Sequence, residues 1–118
     1  MAAVMIFGEH TTEGYTNPIP GIQKKTLVFG QRTLMTEFVL AKDSVLPMHD
    51  HPYEQTGYLV KGHLLLTIGD AEYDTTPGDS WCIPMNVAHG AKVLEDSVAV
   101  EVFSPVREDY LPDRAKGA

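Results

Sequence analysis

From Lys24 onward, short apolar runs alternate with turn signals at close spacing, the pattern of an all-β sandwich or barrel. This pattern predicts strands over 24–29, 32–41, 54–61, 63–69, 71–76, 80–84, 90–95 and 97–104. Gly30 can reverse the chain between the first two. Lys61-Gly62 and Gly69-Asp70 suit tight turns, because glycine tolerates positive φ. Pro77-Gly78-Asp79 reads as a turn in which proline presets φ ahead of glycine. No helical periodicity is sustained for about ten residues before Pro105. The first twenty or so residues are broken by Gly14, Pro18, Pro20 and Gly21 and predict an irregular arm along a sheet edge. The charged tail after Pro105 predicts one short helical turn or a segment trailing over the surface. The expected organisation is one domain over 1–118, with an arm to residue 23, a barrel over 24–104 and a tail over 105–118.

The 118 residues, 43% of them hydrophobic, suit one domain with a real core. Small barrels gain stability by pairing, so a homodimer is expected. Nine Lys and Arg face sixteen Asp and Glu, a formal charge of −7. That balance argues against nucleic acid or an anionic membrane as partner, because both need a basic footprint. No stretch approaches the roughly 18 apolar residues of a membrane span. The N-terminal apolar run ends at Phe7 and lacks a basic leader, so a cytoplasmic protein is expected. Cys82 is the single cysteine, which rules out an intrachain disulfide. Its setting in Trp81-Cys82-Ile83 predicts a buried, inert thiol.

Candidate chemistry concentrates in Pro47-Met48-His49-Asp50-His51-Pro52-Tyr53-Glu54-Gln55. Residues two apart on an extended chain face the same way, so His49 and His51 project together. Gln55 keeps their parity and Glu54 points opposite. Two imidazoles and an amide oxygen on one face make most of a metal site. His89 is the best candidate for a fourth ligand. His10 lies in the arm, and His63, just after Gly62, is expected at a rim or facing solvent. A histidine is also commonly a plain surface or core residue, so the residues alone leave both readings open.

A second cluster lies at the end of the last strand. Glu101 and Phe103 share a face. If that face is the interior, the carboxylate sits among apolar neighbours and could serve as acid or base. Phe103 could be a wall for a sugar or planar ligand. Arg107 could clamp a substrate carboxylate with its planar fork. The alternatives are a solvent-facing Glu101, a core Phe103, and an Arg107 in a solvated ion cluster with Glu108 and Asp109.

The chain resembles the cupins, small β-barrels with two short signature motifs. His49-x-His51, three residues, Gln55, six residues and Gly62 fit the first motif. Gly78, five residues, Pro84, Asn86, two residues and His89 fit the second. Asp43 and Asn86 stand where the motifs have glycine, Val93 where they have asparagine, and Gln55 where they usually have glutamate. The resemblance implies a single-domain jelly-roll barrel holding one divalent metal on His49, His51, Gln55 and His89. With a neutral amide in place of a carboxylate, the centre carries +2 rather than +1. It is then a stronger Lewis acid and a better anchor for an anion. Ni, Zn, Fe or Mn all suit such donors, with Ni or Zn favoured.

The run Ile83–Ala91 together with Val102–Asp109 is further similar to the cupins of pectin and alginate breakdown. Those enzymes convert 4,5-unsaturated uronate monomers to linear keto acids. The resemblance implies catalytic roles for Glu101, Phe103 and Arg107, where the family usually has Asp at the first position. It also implies a small anionic substrate held in a dry pocket inside the barrel. Another metal-dependent cupin activity (isomerase, lyase or dioxygenase) or a non-catalytic small-molecule binder are the competing expectations.

Overall fold

A computed structural model describes residues 4–111. Its strands are β1 (Thr16–Ile19), β2 (Ile22–Phe29), β3 (Leu34–Leu40), β4 (Val45–His49), β5 (Glu54–Ile68), β6 (Ala71–Thr75), β7 (Ser80–Ile83) and β8 (His89–Ser104). A short 3-10 turn follows at Glu108–Tyr110. All strands are antiparallel in one sheet ordered β1-β2-β3-β8-β5-β6, with β4 on β8 and β7 on β5. Among the described residues no helix is long and apolar enough to cross a membrane.

The expected all-β architecture is present, with strand boundaries that differ in instructive ways. Lys61-Gly62 is not a turn but a bulge inside β5, and the predicted break at residue 96 lies inside β8. Gly62 has φ 104° and carries Ser97 against it, so closely that a Cβ would lie 2.0 Å from Ser97 Oγ. That hydroxyl accepts from His63 N at 3.0 Å and donates to Glu95 O at 2.7 Å. It thereby satisfies backbone groups that the shifted ladder leaves over. The turn-like residues therefore bend two long strands together instead of ending them.

Two strands were not expected. β1 lies within the predicted arm. β4 was hidden by Pro47, tolerated because the register shifts between Leu46 and His49. The turns at Gly69 (φ 59°) and Gly78 (φ 94°) are where the sequence puts them. Asp43 (φ 71°) and Asn86 (φ 63°) replace motif glycines in left-handed conformations, which their short polar side chains tolerate.

Inward positions of β8 alternate, with a break at exposed Glu95: His89, Ala91, Val93, Ser97, Ala99, Glu101 and Phe103 are buried. Ile22, Leu40, Leu59, Leu64, Val93 and Ala99 form one apolar cluster. Phe29, Leu34 and Phe103 form a second, on which Tyr53 and Tyr110 pack. Cys82, expected inside, is exposed. Its neighbours Trp81 and Ile83 take the inward parity of a half-buried strand, which leaves residue 82 facing out.

Candidate metal centre

β4 and β8 pair so that His49 lies opposite His89 in register. Asn86 N donates to His51 O at 2.9 Å, tying the turn before β8 to the bend after β4. These two links bring the two motif segments together. The ring centroids of His49 and His89 are 4.2 Å apart, and those of His51 and His89 4.8 Å. One nitrogen from each of the three imidazoles lies within 4.8 Å of the others. His51 and His89 are buried and His49 is exposed, so the cluster sits at a mouth of the barrel.

The donors fit a cation. His49 Nδ1 and His89 Nδ1 each lie 2.9 Å from a backbone carbonyl, of Pro47 and Val87 respectively. A carbonyl only accepts, so each Nδ1 carries the proton and each Nε2 keeps a free lone pair. Such carbonyl-oriented imidazoles are typical of metal ligands. His89 Nε2 is buried with no hydrogen-bond partner among the described residues. Gln55 Oε1 lies 3.0 Å from His51 Nε2. Neighbouring ligand atoms on one ion with bonds of about 2.1 Å stand about 3 Å apart. Burial first, and then the charge of Arg107, holds His51 below its ordinary pKa. Burial lowers His89 to about 4. Both imidazoles are therefore neutral at pH 7, as ligands must be.

Of the remaining histidines, His10 stays exposed in the arm. His63 pairs with Asp74 at 2.5 Å on the partly exposed face predicted for it.

Glu101 faces inward beneath this cluster. Burial pushes its carboxyl pKa up, against hydrogen bonds with Gln55 and Trp81 and the charge of Arg107. Gln55 thus uses both ends of its amide, the oxygen toward His51 and the NH2 toward Glu101. A glutamate at 55 would set two carboxylates side by side. Phe103 is buried, edge-on to His51 at 5.9 Å. It is core packing and a wall of the histidine cluster at once. The Arg107 guanidinium lies 3.9 Å from the Tyr110 ring centroid and 5.0 Å from those of Tyr53 and Phe103. It donates to Asp109 through Nε (3.2 Å) and Nη2 (2.8 Å). The ion pair with Asp109 is therefore present, and the guanidinium lies close enough for its charge to act on His51 and His89.

The sequence reading missed Trp81, Tyr53 and Tyr110. Tyr53 and Trp81 adjoin motif residues and could have been weighed. Tyr110 lies in a tail with no periodicity, and nothing local points to its packing on Phe103 at 5.2 Å. The expected pocket inside the barrel is also revised. The interior cavity beside Gln55, His89 and Glu101 is apolar and about 50 Å³, room for a water or two rather than a sugar.

Residues 36–105 match the family model described as Cupin domain. The pectin degradation protein KdgF of Dickeya dadantii is 29% identical over 93 residues, covering 77% of this chain and 84% of that protein. The structure of KdgF from Halomonas sp. superposes with a TM-score of 0.84 at 29% identity, covering 89% of this chain and 97% of that one. H2HPP isomerase of Bacillus subtilis is 30% identical over 70% of this chain, which spans only about a third (35%) of that longer protein. With more than half its length matched and its long strands bent as described, this chain belongs to the cupin family.

Proposed function

We propose that this cupin is a metal-dependent enzyme that opens small unsaturated uronate sugars to linear keto acids, with His49, His51, Gln55 and His89 as the metal ligands. The observation that carries the reading is Gln55, which touches both the imidazole cluster and the buried Glu101. It couples a cation site directly to a proton-transfer group. The similarity to a pectin degradation protein over most of both chains supports the substrate class.

When bound, a divalent ion there supplies Lewis acidity toward a carboxylate or hydroxyl of the substrate. The rest falls to the chain's own groups. Arg107 keeps three of its five N–H donors clear of Asp109 and orients the substrate carboxylate with them. Tyr53 and Phe103 exclude water on one side. The reaction is an isomerisation with no net gain or loss of atoms. The anomeric hydroxyl gives up a proton, the ring C–O bond breaks, and the alkene carbon takes a proton as the enol becomes a ketone. Glu101 takes and returns that proton. Its burial keeps the neutral form accessible, which a shuttle requires.

The test is incubation of the metal-loaded protein with an unsaturated galacturonate or mannuronate monomer, following loss of the conjugated-alkene absorbance. The expected result is decay that disappears on chelation and in Glu101→Gln. Metal-replete protein with no decay on either monomer would refute the substrate assignment.

A further inference from the structure

We infer that Tyr110 is a positioning residue, whose ring docks the segment after β8 on the barrel and holds the Arg107 guanidinium in place. This role rests on the clamp function proposed above for Arg107. Arg107 lies beyond the last rung of the sheet: β8 ends at Ser104, and Pro105 follows. The strand ladder therefore does not fix it. Its ion pair does not fix it against the barrel either. Asp109 is two residues away in the same short segment, so the pair sets the fork within the segment and not the segment on the sheet. Yet the Arg107 side chain is only 14% exposed, and its charge acts on His51, His89 and Glu101.

Tyr110 supplies the missing attachment. Its backbone N–H donates to Arg107 O at 3.0 Å, closing the turn and bringing the ring to 3.9 Å from its own segment's guanidinium. Its carbonyl accepts a short hydrogen bond from Thr26 Oγ1 on β2. The ring meets Phe103 of β8 edge-on at 5.2 Å and lies 6.5 Å from Phe38 of β3. Lys24 Nζ of β2 sits 3.3 Å from the ring centroid. One residue thus joins three strands to the arginine. Val106 and Leu111 pack on the same apolar cluster, but an aliphatic side chain offers no π face to a cation. Burial pushes the Tyr110 phenol up to about 12, so it stays uncharged and meets both cations through its ring.

The first readout needs no substrate. A ring this close shifts the Arg107 Nε–H proton resonance upfield. Tyr110→Leu should lose most of that shift, and Tyr110→Phe, which keeps the ring, should retain it. The second readout is steady-state kinetics of the metal-loaded protein on the unsaturated uronate monomers. Tyr110→Leu should raise KM roughly tenfold while kcat changes less than about twofold. Tyr110→Phe should restore most of the loss. In an Arg107→Lys background, Tyr110→Leu should add less than about a further twofold, because it acts through the guanidinium. Thr26→Val unties the segment's carbonyl and leaves the ring in the sequence. It should raise KM in the same direction by a smaller factor, and it decides the matter if Tyr110→Leu does not fold. A phenylalanine variant as impaired as the leucine one, full additivity with Arg107→Lys, or an Arg107 resonance unmoved in Tyr110→Leu would overturn the inference. A wild type that leaves both monomers untouched, with the resonance behaving as expected, would refute the uronate reading and leave the docking of Arg107 by Tyr110 standing.

Discussion

Trp81 reaches across β5 to Glu101: its indole Nε1 donates to Glu101 Oε1 at 2.7 Å, passing directly over Gly57. The three residues form one row, with Gly57 paired to Trp81 on one side and to Glu101 on the other. A Cβ at residue 57 would lie 2.2 Å from the indole ring. Glycine is required here by the close approach of a large ring, not by backbone conformation. Gly57→Ala is expected to displace the indole and destabilise by about 1–3 kcal/mol, the usual range for an overpacked core. Urea melts and a red-shifted tryptophan emission would register it. Trp81→Phe keeps the packing but removes the donor, and should lower turnover while leaving metal content unchanged. An unchanged emission spectrum in Gly57→Ala would contradict the stacked row.

Gln55 is where this chain differs from the usual cupin glutamate, and its amide serves two partners of opposite demand. Gln55→Glu replaces the donor to Glu101 with a second carboxylate. Metal retention should hold or rise, because the ligand is now anionic. Turnover should fall roughly tenfold or more, because Glu101 loses its partner and gains a like charge. Metal analysis alongside steady-state rates distinguishes the two effects. A variant as active as wild type would show that the amide's second contact is idle.

Metal content should depend on His89 and His51 and not on His63. His89→Ala removes a proposed ligand whose buried nitrogen has no other partner among the described residues. It should lose the ion on dialysis, whereas His63→Ala, paired with Asp74 elsewhere, should retain it. Chelation of the wild type should lower its melting temperature. An ion present at a hundred times its dissociation constant contributes about 2.7 kcal/mol to stability.

Acid should destabilise the metal-free protein through His89. An unfolded histidine titrates near 6.5, while burial, partly opposed by the bond to Val87, lowers His89 to about 4 in the fold. Between those values the unfolded chain binds the extra proton, so stability falls as pH drops from 6.5 toward 4 and is fully present above 6.5. The effect is on the order of 3 kcal/mol. Denaturant melts of chelated protein across that window should show the slope, and His89→Gln should flatten it. A flat wild-type profile would mean that His89 is not held neutral by burial.

Arg107 is set by three rings and Asp109, so charge alone should not replace it. Arg107→Lys keeps the cation but loses the planar stacking and the forked donors. KM for a carboxylated substrate should rise at least about tenfold, with a smaller change in kcat, since the lost contact is to a group that does not react. Equal kinetics for the lysine variant would remove the clamp role.

The alternation of apolar and polar residues determined the all-β class, and the spacing of His49, His51, Gln55 and His89 determined which side chains could share a cation. Both are local facts, because strand parity alone sets which face a residue takes. The placement of turn residues was less decisive. Gly62 and Glu95-Asp96 carry turn chemistry, and only the packing of Ser97 onto Gly62 made them a bend in two continuous strands. Cys82 followed the same logic in reverse: an apolar run suggested burial, and the parity of its neighbours turned it outward. Tertiary structure alone decided that Glu101 faces in, that Trp81 and Gln55 hold it, and that Tyr110 returns from the tail to pack on Phe103. These contacts join residues far apart in the chain, and no local pattern encodes a pairing that exists only once the strands have found their register.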